Sequence, residues 1–192
     1  MLLDPPLPDI LLITPEPPVD ACVDGFLDRL EHAVSSGVAL VQLRAKTLDA
    51  PTYRRLAEQA CALCHRYDAR LILNGPLDDP DEVGADGWHM PSARLMQCAS
   101  RPLAPSKLLS AACHTTAQVL HARRIGVDLA TLSPVLPTTS HPGEPTLGWV
   151  KFQTLAAQAA FPVYALGGMT RALLPTARAH GARGVAGISA FW

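Results

Sequence analysis

Eight short apolar runs recur along the chain, most of them followed by a segment of helical periodicity. This alternation limits the fold more than any other feature. The runs are Ile10–Thr14, Val38–Arg44, Arg70–Asn74, Asp86–His89, Leu108–Cys113, Asp128–Ser133, Pro162–Leu166 and Gly184–Ile188. Nearly all are continuous rather than alternating in polarity, as in parallel strands covered on both faces. Asp20–Ser35, Ala50–Arg66, Thr115–Ile125, Leu147–Ala160 and Thr170–His180 read as helices, with Thr170 as an expected N-cap. Repeated βα units build either a doubly wound open sheet or a closed barrel. Eight units without an antiparallel element point to a compact (β/α)8 TIM barrel, a single domain over residues 1–192. Trp192 lies only a few residues past the last run. The final helix is therefore expected to be truncated, with Phe191 and Trp192 capping the barrel bottom or meeting a partner.

Composition narrows the class. The chain is 48% hydrophobic and 17% charged, which excludes a disordered polypeptide. A net charge of −1 gives no global field for nucleic acid or anionic lipid. No apolar run has the length of a membrane span. The N-terminal MLLDPPLPD has neither a basic nor an apolar signal region, so no secretory leader is expected. Five cysteines, an odd count, suit reduced thiols and a cytoplasmic location. Cys61-Ala-Leu-Cys64-His65 matches the c-type haem signature, but it lies within an amphipathic helix with Cys64 on the apolar stripe. It is expected to be structural, and no His/Cys spacing suggests zinc.

In a barrel of this kind the chemistry sits at the C-terminal ends of the strands. Polar residues fall there repeatedly. Gln42, Arg44 and Lys46 alternate at the end of the second run and share one side of it, a pattern suited to phosphate or carboxylate. Asn74 ends the third run, His89 the fourth, and His114 follows the fifth. An imidazole near neutral pH both takes and gives a proton, which makes His114 the candidate acid/base. The loop after the sixth run carries Thr138, Ser140 and His141, hydroxyls and a histidine that suit a phosphate. Gly167, Gly168, Gly187 and Ser189 end the last two runs, where glycine lets backbone approach a ligand closely.

VQLRAK, LILN, ADGWHM, AACHT, LSPVLPTTSHPG, VYALGGM and GARGVAGISA together resemble the thiamin phosphate synthase/TenI family, in order and spacing, from Leu11 to about Ala190. SHPG and the terminal GISAFW look most like the TenI-type domain fused to Nudix hydrolases in some bacteria. The resemblance implies a (β/α)8 barrel binding a small phosphorylated heterocycle. It assigns Gln42, Arg44, Lys46 and Asn74 to a diphosphate, and Thr138 and Ser140 to a phosphate loop. It gives Gly167, Gly168, Gly187 and Ser189 to a thiazole phosphate. It also implies a homodimer and a functional link to a Nudix hydrolase domain.

The chain departs from the synthase pattern. The two positions of the Mg²⁺ carboxylates are Gly75 and Arg94, the serine before the fifth-strand histidine is Ala112, and the lysine closing the phosphate loop is His141. Asp78 or Asp79 is a candidate substitute ligand. These departures favour a TenI-like thiazole phosphate tautomerase, an isomerase using His114 as acid/base and needing no cofactor. Two readings stand beside it. One is a thiamin phosphate synthase with altered metal ligands, a transferase joining pyrimidine diphosphate to thiazole phosphate with Mg²⁺. The other is a non-catalytic sensor of thiamin or thiazole phosphate.

Overall fold

The apolar runs become eight parallel strands that close in chain order into a barrel. The computed structural model describes residues 6–17, 23–138, 143 and 145–192, apart from the side chains of Val23 and Asp24. The strands are β1 (Ile10–Ile13), β2 (Leu40–Arg44), β3 (Arg70–Asn74), β4 (Gly87–Met90), β5 (Leu108–Cys113), β6 (Leu129–Leu132), β7 (Val163–Leu166) and β8 (Gly184–Gly187). Ile10 lies opposite Val185 and Leu12 opposite Gly187, which closes the ring. The helices are α1 (Val23–Ser35), α2 (Ala50–Arg66), α3 (Ser92–Gln97), α4 (Thr116–Ile125), α5 (Gly148–Ala156) and α6 (Leu174–Ala179).

Local signals explain most boundaries. Asp49 caps α2, its carboxylate accepting from Thr52 N at 2.7 Å, and Pro51 follows in the first turn. Thr115 caps α4, which ends at the left-handed Gly126. Thr170 makes no side-chain cap, and the expected helix there divides into a 3-10 turn at Arg171–Leu173 and the short α6. The alternation does not reveal α3, a six-residue helix that buries only Leu95.

Two apolar layers form. One lies between sheet and helices and includes Leu30, Val41, Leu56, Leu73 and Phe152. The other fills the barrel lumen with Leu11, Leu40, Ile72, Leu108, Leu129 and Tyr164, and Leu7 plugs its lower end. Each buried side chain of this size stabilises by roughly 1.5–3 kcal/mol relative to exposure. Along the strands the inward positions then turn polar, from Leu40 to Gln42, Ile72 to Asn74, Leu108 to Ser110 and Leu129 to Thr131. The lower lumen is thus a core and the upper lumen a site.

No helix follows β8 among the described residues. Phe191 is buried beneath Arg171, and Trp192 packs on Phe26 of α1, with ring centroids 4.8 Å apart. The pair sits beside the start of α1, at the upper rim, and not at the barrel bottom. Cys61 and Cys64 are buried in α2, and Cys61 Sγ donates to Gly84 O at 3.0 Å. Burial pushes the two thiols up to about 11 and about 12. His65 pairs with Asp86 at 3.0 Å, so this segment is structural. No described helix is long and apolar enough to cross a membrane.

Candidate active site

The strand ends open into a cavity of about 870 Å³, and every expected site residue that is described lines it. These are Gln42, Arg44, Lys46, Asn74, His89, His114, Thr138, Gly167, Gly168, Gly187 and Ser189. Ser140 and His141 lie outside the described residues. The described lining contains no Asp or Glu and carries the cations Arg44, Lys46 and Lys151.

Side chains build the β2–β4 wall. Asn74 Nδ2 donates to Gln42 Oε1 at 2.6 Å, which fixes both amides. Gln42 is almost fully buried, and its Nε2 is a donor without a partner. A buried donor of this kind costs about 1–3 kcal/mol until something accepts from it. Behind them, Tyr53 Oη donates to Leu43 O at 3.0 Å and accepts from Asn74 N at 3.1 Å, tying α2 to both strand ends. Glu16, on the loop after β1, accepts from Arg44 Nη1 at 2.7 Å and from Thr47 N and Oγ1 at 2.6 and 2.8 Å. His89 Nδ1 and Ser110 Oγ lie 2.8 Å apart in the lumen. Burial, with the charge of Lys46 adding to it, pushes this imidazole down to about 3. His89 is therefore neutral and contributes polarity without charge.

His114 stands where β5 meets α4. Its backbone N–H donates to Gln118 Oε1 at 2.7 Å, while the Thr115 hydroxyl accepts from Gln118 N. This is a close variant of the capping box, and it fixes the residue. His114 Nδ1 lies 2.8 Å from the Ser133 carbonyl. A carbonyl only accepts, so Nδ1 carries the hydrogen and Nε2 of the neutral ring keeps the lone pair.

The β6–β8 wall is mostly backbone. Val135 N donates to Leu166 O at 2.8 Å and Leu136 N to Gly167 O at 3.1 Å, continuing the β6–β7 pairing upward. A Cβ on Gly167 would lie 2.9 Å from Pro134, and one on Gly168 would lie 2.7 Å from Pro137 O. Both glycines have positive φ, at 98° and 68°. This packing and these φ values require glycine at both positions.

Sequence reasoning missed Glu16, Tyr53, Ser110, Thr131, Ser133 and Lys151. The continued alternation from Leu129 marks Thr131 and Ser133, which line the cavity. Glu16 and Lys151 carry no periodic signal, because one lies in a proline-rich loop and the other on a helix.

Magnesium takes hard oxygen ligands, usually one or two carboxylates plus phosphates. The residues present do not fit it. A Cβ on Gly75 would lie 2.4 Å from the Tyr53 ring, so this position has no room for a carboxylate. Arg94 Nη2 donates to Asp78 Oδ2 at 2.9 Å, and the guanidinium lies 5.5 Å from the Trp88 ring centroid. Asp79 caps a 3-10 turn through Asp81 N. Neither Asp78 nor Asp79 lines the cavity. No group of three or more potential metal ligands gathers among the described residues.

Comparison with known proteins bears on this site. Putative thiamine-phosphate synthase 2 of Aquifex aeolicus is 34% identical over 168 residues, 88% of this chain and 90% of that protein. Thiamine-phosphate synthase of Thermus thermophilus is 33% identical over 174 residues, 90% of this chain and 83% of that protein. Thiamine phosphate pyrophosphorylase from Pyrococcus furiosus shares the fold, with a TM-score of 0.72 at 20% identity, covering 94% of this chain and 85% of that one. These names give the expected preference for an isomerase over a transferase no support. The fusion to Nudix hydrolases is not shown either. Residues 10–191 match the family described as thiamine monophosphate synthase, and the chain belongs to that family.

Proposed function

We propose that the cavity joins a pyrimidine diphosphate to a thiazole phosphate, the coupling implied for the synthases of the family. One observation carries this reading: the anion-suited residues stand on two facing walls of a cavity near the upper end of the usual size range for small-molecule sites. A tautomerase's thiazole carboxylate phosphate also carries two anionic groups, but both sit on one small ring that fills less of this volume. The names of the relatives support the same reading.

In the coupling, the thiazole nitrogen lone pair forms a C–N bond to the pyrimidine methylene carbon. The bond from that carbon to the diphosphate oxygen breaks, and the diphosphate leaves with the electron pair. No proton need move. Arg44 and Lys46 offset the negative charge that grows on the leaving oxygen. The unpaired Gln42 Nε2 donor suits a ring nitrogen or phosphoryl oxygen. Neutral His89 adds a polar contact without repelling a cationic methylene. The donor set does not fit Mg²⁺, so the charge of the departing diphosphate falls to Arg44 and Lys46.

The test incubates the purified protein with both substrates, with Mg²⁺ and with a chelator, and reads thiamin phosphate as its fluorescent oxidation product. Product at an enzymatic rate supports the coupling. Folded, phosphate-binding protein that forms none under either condition sinks it.

A second reading has its own observation. The hydrogen bond from His114 Nδ1 to the Ser133 carbonyl leaves Nε2 as a positioned base. That suits a tautomerase, which would introduce solvent deuterium into a non-aromatic thiazole carboxylate phosphate. Binding without coupling or exchange would leave the sensor.

A further inference from the structure

The cavity holds three cations, but they are not equivalent. Arg44 is paired with Glu16 at 2.7 Å, which positions it and offsets part of its charge. Lys46 and Lys151 have no ion pair among the described residues. Lys46 follows β2, and Lys151 lies on α5, which follows β6. In an eight-stranded ring β2 and β6 stand opposite each other. The uncompensated positive charge therefore sits at two poles across the cavity, with no carboxylate in the described lining between them. The same cavity is lined by Thr138, Gly167 and Gly168. Lys151 is exposed apart from its place on the cavity wall.

We propose that Lys151 binds a phosphoryl group of the ligand, on the wall opposite Lys46. The assignment rests on reading the cavity as an anion site. An ammonium on a flexible stem meets phosphate as a point charge and makes charge-assisted hydrogen bonds to its oxygens. The ligand class follows: an anion at each pole, either two phosphorylated molecules or one molecule bearing anionic groups at both ends.

The test is a ³¹P NMR titration with inorganic pyrophosphate and, separately, inorganic phosphate, without divalent cations. The proteins are wild type, Lys151→Ala, Lys151→Arg and Lys46→Ala. Lys151→Ala should weaken binding on the order of ten-fold, and Lys151→Arg should retain it. Thermal melts should be unchanged, because the residue is exposed. If Lys151→Ala binds like wild type while Lys46→Ala is weakened, the Lys151 assignment falls and the anion site stands. If wild type binds neither anion, the anion-site reading itself falls.

Discussion

The two walls of the cavity are built by different means. On the β2–β4 side, side chains face the ligand space and other side chains hold them: Glu16 holds Arg44, Asn74 holds Gln42, and Ser110 contacts His89. On the β6–β8 side, backbone makes most of the surface, and Gly167 and Gly168 let the Pro134–Pro137 segment lie against β7. One wall can be altered one hydrogen bond at a time. The other tolerates almost no added atom. The largest predicted effect therefore falls on the backbone wall. Gly168→Val forces a β-branched residue to φ 68° and a Cβ to within 2.7 Å of Pro137 O. Left-handed strain and overpacking together cost about 3 kcal/mol. Denaturant titration should register that loss, and a near-wild-type midpoint would show that the wall yields.

The next effect tests the burial of the side-chain wall. His89 is held neutral, with its pKa about 3 against 6.5 unperturbed. Between those values the unfolded chain binds a proton that the folded chain does not. Stability from this group is thus complete above pH 6.5 and is lost as pH falls toward 3. The slope is about 1.4 kcal/mol per pH unit, or about 2 kcal/mol from pH 6.5 down to 5. His89→Gln should flatten the acid limb of a stability–pH curve. An unchanged limb would mean that the imidazole is not buried neutral.

The contrast also explains what was legible in the sequence. Parallel strands buried on both faces read as continuous apolar runs, so all eight were visible, and Arg70–Asn74 and Leu108–Cys113 have the expected bounds. The α3 helix was not visible, because six residues with one buried leucine carry no period. Gln42, Asn74 and His89 were legible because each lies at the polar end of an apolar run. Their supports were not. Glu16 lies 28 residues from Arg44 in sequence, and only closure of the barrel brings them together. Gly75 read as a lost carboxylate. That the Tyr53 ring fills its place is a fact of packing between α2 and β3.

Glu16 gives a smaller effect than either change above. Glu16→Ala removes three hydrogen bonds and releases Arg44 and Thr47. Loss of the guanidinium's position should outweigh the charge unmasked on Arg44, so pyrophosphate binding should weaken by up to about ten-fold. In Glu16→Ala/Arg44→Ala the losses should fall short of additive, since the carboxylate acts through the guanidinium. Full additivity would give Glu16 a role of its own.

The smallest effect bears on the metal. Arg94 and Asp78 pair at 2.9 Å, but both side chains are more than half exposed, at 57% and 58%. Such pairs contribute little, so Arg94→Ala should change stability by no more than about 0.5 kcal/mol. It should also leave activity and its response to Mg²⁺ unchanged, because Asp78 lies outside the cavity lining whether or not Arg94 holds it. Gain of Mg²⁺ stimulation in Arg94→Ala would mean that the freed carboxylate swings inward and that a charge blocks the metal. The geometry assigns the block to packing. A carboxylate after Asn74 would have to displace the Tyr53 ring, whose hydroxyl joins Leu43 O to Asn74 N. Regaining a metal ligand on this wall therefore requires undoing the contact that holds its asparagine.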